Sequence, residues 1–400
     1  MTTRRSFLAL SGGALAAASL GACRSRPAVA TATPVPDLLL ADTKRGLVRL
    51  SGAESRLVGA GAALSRDGAV AYVAEGTALT RTYAVTGAPI QKIEIGGGWV
   101  PRVVAEAGNA CVLTQSAHEE PPAARTSSPL LVVTDERRQK FNPAGVVEPD
   151  AFTSDGTGLF VLEWLPATAP EHYRVRLLDL AGGQLQPLLT RNKVPVPAGA
   201  EEEMRGSGRE AVLSGDRQVL YTLYTHQPDH QHTRNLLNHT PGNVHAFVHV
   251  LQLNERWAFC LNLPDPFGHG APEGHALAAD ATHIAVLDAA SGSLAFASAG
   301  SLEIEKVTRI PAGSAAGHLA LGAGKAYAAY GTDVHVVDRA TGRVVAHWSL
   351  ADPVCGLRLS RDGRRLYAGG HDRVAWLDVT TGQVVGRASV DGLTTLRHAG

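Results

Sequence analysis

The sequence predicts an all-β chain closed into a β-propeller of eight four-stranded blades, with seven as the alternative count. Three observations predict it. Internal similarity recurs at a spacing near forty residues, the range of propeller blades. Tight-turn signals are flanked by short runs that alternate apolar and polar residues. Two incomplete groups of strands stand at opposite ends of the chain and together supply one more blade.

The clearest repeat lies near the C-terminus, where Val337-Asp338-Arg339-Ala340-Thr341-Gly342 is echoed by Leu377-Asp378-Val379-Thr380-Thr381-Gly382. A second recurring turn is Leu64-Ser65-Arg66-Asp67-Gly68, matched by Leu359-Ser360-Arg361-Asp362-Gly363, with looser copies at Thr153-Ser154-Asp155-Gly156 and Leu213-Ser214-Gly215-Asp216. Asp-Gly and Thr-Gly supply the positive-φ positions that tight hairpins demand. Runs such as Arg373-Val374-Ala375-Trp376-Leu377 carry the period of two that marks strands. This pattern resembles the YVTN-type and WD40-like propeller repeats over nearly everything after residue 37. The resemblance implies a fold and no particular activity.

Seven units open near Ala62, Pro101, Asp150, Arg209, Gly274, Ala316 and Val354. The tail Leu393-Thr394-Thr395-Leu396-Arg397-His398 then pairs, as innermost strand, with the two or three strands read between Asp37 and Val58. Closure of this kind removes the exposed sheet edges that invite aggregation.

Composition agrees with a distributed core. A chain of 400 residues, 44% hydrophobic and 18% charged, exceeds the about 250–300 residues at which single cores stop growing. Thirty-seven basic residues balance 37 acidic ones, which excludes a strongly basic nucleic-acid-binding surface. Aromatics at 5% argue against a stacking platform for single strands.

The N-terminus reads as an address. Arg4-Arg5-Ser6-Phe7-Leu8 resembles the twin-arginine export signal. Residues 7–22 are apolar and uncharged, a length that suits a signal core and is short for a membrane span. Leu20-Gly21-Ala22-Cys23 resembles the bacterial lipoprotein box, which implies that Cys23 becomes a lipidated N-terminus. The expected organisation is a signal peptide over 1–22, a lipidated Cys23 and tether over 23–36, and the propeller over 37–400. It places the protein outside the cytoplasm, anchored to a bacterial membrane in the periplasm or at the cell surface. Cys111, Cys260 and Cys355 are widely separated in apolar contexts and read as inert buried thiols, with at most one bridge among them.

Five long connections fall near 116–128, 167–172, 191–208, 225–243 and 264–273. Each is a link between blades or joins the second and third strands of one blade, so all five project from the same face. The opposite hairpins are tight. Loops on a rigid scaffold are where function concentrates.

The most conspicuous of these connections contains Thr225-His226-Gln227-Pro228-Asp229-His230-Gln231-His232, with His239, His245 and His249 beyond it. Imidazoles beside a carboxylate are ligands for zinc, copper or nickel. Lacking a HExxH pattern or a Cys partner within the loop, it reads first as a solvated polar segment. A metal bound by His226, His230 and His232 is the alternative. Gly274-His275 and Gly317-His318 precede inner strands at equivalent positions; these histidines either orient a ligand or hydrogen-bond a neighbouring blade, the second being preferred. Glu201-Glu202-Glu203 reads as a solvated acidic turn.

No nucleophile elbow, phosphate loop or paired acid and base is present. The expected function is a tethered binding or scaffolding module, without a cofactor. Its long-loop face, with His226, Asp229, His230, His232, His275 and His318 as candidate contacts, meets a protein or small ligand. A lactonase- or hydrolase-type propeller enzyme and a metal-handling protein are the alternatives.

Overall fold

The computed structural model describes residues 33–116, 119–205, 210–242 and 244–400. The export signal, Cys23 and most of the tether lie outside the described residues. Eight antiparallel sheets form the ring. Blades 1 to 7 span residues 63–94, 100–141, 146–187, 210–262, 275–309, 317–349 and 356–389. The eighth is composite: Leu393–Ala399 is its inner strand and pairs antiparallel with Val35–Thr43, which continues into Gly46–Gly52 and Glu54–Gly59. The tail therefore closes the ring, and the first strand begins two residues before the expected boundary at 37.

The turn signals do what their chemistry requires. In the first repeat, Ser65 Oγ donates to Asp67 Oδ1 at 2.6 Å, the Asp accepts the Ala69 N–H, and Gly68 takes φ 73°. The same bonds recur at Thr153/Asp155, Ser214/Asp216 and Ser360/Asp362. A side chain that caps its own turn fixes the hairpin register, and with it which strand face meets the core.

The hydrophobic core is divided in the same way. Eight buried clusters occur among the described residues, each drawing mainly on two neighbouring blades. The junction of blades 3 and 4 is aromatic. Trp164, Tyr173, Tyr224 and Phe247 follow one another at centroid separations of 4.6, 6.2 and 5.2 Å. The junction of blades 5 and 6 is instead rich in alanine: Ala276, Ala278, Ala285, Ala289, Ala326 and Ala328. No helix among the described residues is long and apolar enough to cross a membrane.

Candidate metal centre

The connection from blade 3 to blade 4 is held down before it reaches the site. Met204–Arg205 pairs with His172 and Tyr173 of blade 3. Gln227, buried, clamps this short strand from the other side: its Oε1 accepts the Arg205 N–H at 2.8 Å and its Nε2 donates to the Arg205 carbonyl. The clamp fixes the 225–246 connection against the acidic triplet. Glu201 joins Arg174 and Arg176 at 3.0 and 3.1 Å, Glu203 meets His172 at 3.1 Å, and Glu202 turns inward between them. The triplet is not a solvated turn, because each of its carboxylates has a cationic or imidazole partner.

Three potential metal ligands, Glu202, His232 and Cys260, converge where Glu202 points, their ligand atoms all within 4.8 Å of one another, and His230 stands beside them. Cys260 Sγ lies 2.9 Å from Glu202 Oε2, His232 Nδ1 lies 3.4 Å from the same oxygen, and His230 Nε2 lies 3.5 Å from it. Glu202 Oε1 accepts the Thr233 N–H at 2.7 Å, which fixes the carboxylate plane. The segment expected to be solvated is therefore interior: His230 is 6% exposed and His232 is 1% exposed. The reason is Phe247, against which His230 stacks at 4.4 Å and His232 packs edge-on at 5.0 Å. Left-handed φ values at His226 and Asp229, 58° and 56°, turn the chain so that His230 and His232 face inward.

Coordination geometry can be tested directly. Metal bonds of about 2.0 Å to nitrogen or oxygen and about 2.3 Å to sulfur place neighbouring tetrahedral ligands about 3.3–3.5 Å apart. The His232–Glu202 separation matches already, and Cys260 would move outward by about half an ångström. His232 Nε2 donates to Asn262 Oδ1 at 2.6 Å, and Nδ1 faces Glu202. Metal-bound histidines are oriented by just such an acceptor on the other nitrogen. Arg234 donates to the same Asn262 oxygen at 2.8 Å and holds the amide in place. His230 Nε2 is buried beside this group, 3.5 Å from Glu202 Oε2.

The electrostatics point the same way. Burial pushes the Cys260 thiol well above its usual range and the Glu202 carboxylate adds to the effect, so without metal the thiol keeps its proton and donates it to Glu202. Burial alone would raise Glu202, but the facing imidazoles of His230 and His232 hold it well below the usual carboxylate range. His249, buried and opposite Cys260 in the strand register, adds to that field.

The remaining expected contacts lie elsewhere. His226 is not in this group; its Nδ1 sits 2.8 Å from Thr225 Oγ1 and its ring meets His275 edge-on at 6.1 Å. Asp229 faces solvent. His275 accepts the Gly268 N–H and approaches the Ala271 carbonyl, each at 3.1 Å, while His318 bonds the Val354 carbonyl at 3.0 Å. Burial pushes both imidazoles toward the neutral form. Glu202 and Cys260 are the candidate ligands that sequence reasoning missed. Cys260 lies in an apolar strand and carried no pattern; Glu202 carried only its place in a long connection on the correct face.

No protein-family model matches the chain, and no curated protein matches it by sequence. Solved structures do match. Dihydro-heme d1 dehydrogenase NirN in complex with DHE aligns over 93% of this chain and 77% of its own, at 12% identity and a TM-score of 0.54. Apo AztD from Citrobacter koseri aligns over 90% of this chain and 96% of its own, at 12% identity and a TM-score of 0.53. At that identity the likeness is one of fold: the chain is an eight-bladed β-propeller.

Proposed function

We propose that this protein is an extracytoplasmic, lipid-anchored propeller that binds a zinc-class metal ion through Glu202, His232 and Cys260. The observation that carries the reading is the convergence of a carboxylate, an imidazole and a thiol within 4.8 Å of one another. One strand of blade 4 and two connections contribute to it. A set of one sulfur, one nitrogen and one oxygen suits zinc, or cobalt in its place, and leaves a fourth position open. Asn262 and Thr233 supply the outer contacts that keep His232 and Glu202 in position. Within the binding-module reading the metal-handling alternative is the one preferred, with Glu202 and Cys260 in place of His226 and His230 in the ligand set.

Protein purified without an affinity tag should carry about one equivalent of zinc by elemental analysis. After chelation and reloading with cobalt it should show thiolate-to-metal charge transfer, which Cys260→Ser abolishes and His226→Ala leaves intact. Full charge transfer in Cys260→Ser would overturn the ligand set. The anchor rests on Arg4-Arg5, the apolar stretch and Cys23. Cells fed a fatty-acid analogue should label the wild type and not Cys23→Ala; equal labelling would refute it.

A further inference from the structure

Beside the three ligands lies a cavity of about 610 Å³, within the range of sites that hold small organic molecules. Glu202, His249 and Cys260 belong to its lining, with Glu201 beside them, whereas His230 and His232 do not. Anything entering the cavity would reach a bound metal from the Glu202–Cys260 side. The walls are apolar: Leu188, Val196, Leu237 and Phe259. Val194 and Leu237, which also line it, are 57% and 44% exposed, unusual for side chains of their kind.

One cation belongs to the lining and is not spent. Arg234 uses both terminal nitrogens on the Cys260 carbonyl and Asn262. Arg191 has no hydrogen-bond or ion-pair partner among the described residues. Its guanidinium lies 5.7 Å from the Phe259 ring centre and 5.9 Å from that of Trp257. Stacking on two rings restrains the guanidinium while its donors stay available, an arrangement suited to an oxyanion.

We propose that this cavity binds a small organic anion whose chelating oxygens complete the coordination of the metal ion. Its apolar body lies against Leu188, Val196, Leu237 and Phe259, and Arg191 meets its charge. The inference rests on the metal reading and deepens it: the cargo is a metal–chelator pair rather than the bare ion. Apolar walls alone would accept any hydrophobe, and a metal alone would accept any chelator. A floor of metal ligands, apolar walls and a free guanidinium together select a molecule with both ends.

Benzohydroxamate is a suitable probe, because it joins an aromatic ring to an oxygen-chelating anion. Added to the cobalt-loaded protein, it should shift the visible cobalt bands while the cobalt stays with the protein through gel filtration. Acetohydroxamate lacks the ring and should bind at least about tenfold more weakly, the worth of burying a large apolar group. Arg191→Gln removes a charge-assisted contact and should weaken benzohydroxamate binding by about tenfold. Leu237→Glu places a like charge at the cavity wall and should weaken it as well. Both residues are exposed, so neither change threatens folding. Bound cobalt whose bands do not respond would overturn the cavity proposal and leave the metal reading intact. Removal of the cobalt by the probe would overturn it too, as would equal affinity for the two hydroxamates. Failure of the protein to bind cobalt at all would end both readings.

Discussion

Two junctions in the ring solve the same packing problem with opposite materials. Between blades 5 and 6 the sheets meet through alanines, with Leu287, Leu294 and Phe296 filling the wider part of the wedge. Between blades 3 and 4 the wedge holds Phe160, Trp164, Tyr173, Tyr224 and Phe247, and the neighbouring connections are long. Both junctions carry a cavity, but that between blades 5 and 6 is lined by Glu305, Lys306, Lys325, Asp338 and Arg339, whereas that beside blades 3 and 4 is lined by candidate metal ligands and apolar side chains. The lesson is that the site depends on how the aromatic wedge is packed as much as on its own ligands. Phe247 belongs to both, since it is a core residue and the surface on which His230 rests.

The harshest test removes the frame that both junctions share. Residues 391–400 contain the inner strand of blade 8, and Leu393 and Leu396 are 2% and 1% exposed. Terminal residues are commonly dispensable, but these close the ring. Loss of two buried leucines alone costs about 4–10 kcal/mol. Truncation at 390 should therefore abolish cooperative unfolding or lower the melting temperature sharply, as calorimetry would show. An unchanged transition would mean that the ring does not need this strand.

A gentler test separates the junctions. Phe247→Ala should destabilise the protein by about 3–5 kcal/mol, the cost of truncating a fully buried aromatic residue. It should also weaken zinc retention, because His230 and His232 lose the ring they pack on. Denaturant unfolding and a competition titration with a zinc indicator read the two effects. If stability falls while zinc affinity holds, the aromatic wedge is scaffold only.

At the other junction the expected change has the opposite sign in volume. Ala285 is fully buried between blades 5 and 6, and Ala285→Leu adds atoms where there is no room. Overpacking of this kind costs about 1–3 kcal/mol. Zinc affinity should not change, since the substitution lies at a different interblade junction. A drop in metal affinity as large as that of Phe247→Ala would show that the ring transmits strain around its circumference, and the contrast between junctions would fail.

The two kinds of information were unequally visible in the sequence. Asp67, Asp155, Asp216 and Asp362 act within two or three residues of themselves, so a local motif reveals the hairpin and the blade around it. Closure could be inferred because the first and last pieces were each incomplete. The site could not be read in that way. Glu201, Glu202 and Glu203 are identical in sequence and have three different sets of partners, sorted only by which way the backbone turns them. Cys260 is a ligand candidate because strand register sets it opposite His249 and beneath the link from blade 3, a relation spanning 58 residues between Glu202 and Cys260. His226 carried the same local pattern as His230 and went elsewhere.

The smallest expected effect lies on the axis of the ring. Glu210 stands on the inner strand of blade 4, where it accepts the Leu277 N–H at 2.8 Å and feels Arg358 of blade 7. The side chain is exposed to the channel, yet desolvation by the surrounding strands pushes its pKa up to about 7, against partial relief from the Leu277 N–H and Arg358. In the unfolded chain the group titrates near about 4.3. Between those two values the folded state binds more protons than the unfolded state, so stability falls as pH rises across that window and levels off above it. Glu210→Gln removes the titrating group. Its melting temperature should track the wild type near the lower end of the window and exceed it above pH 7 by no more than about 1 °C, because solvent screens the exposed carboxylate. Zinc content measured in parallel should be equal in the two proteins, which keeps the channel effect apart from the junction. Parallel melting curves across the whole range would show that Arg358 balances the carboxylate fully, leaving the channel electrostatically neutral and the difference between the junctions purely one of packing.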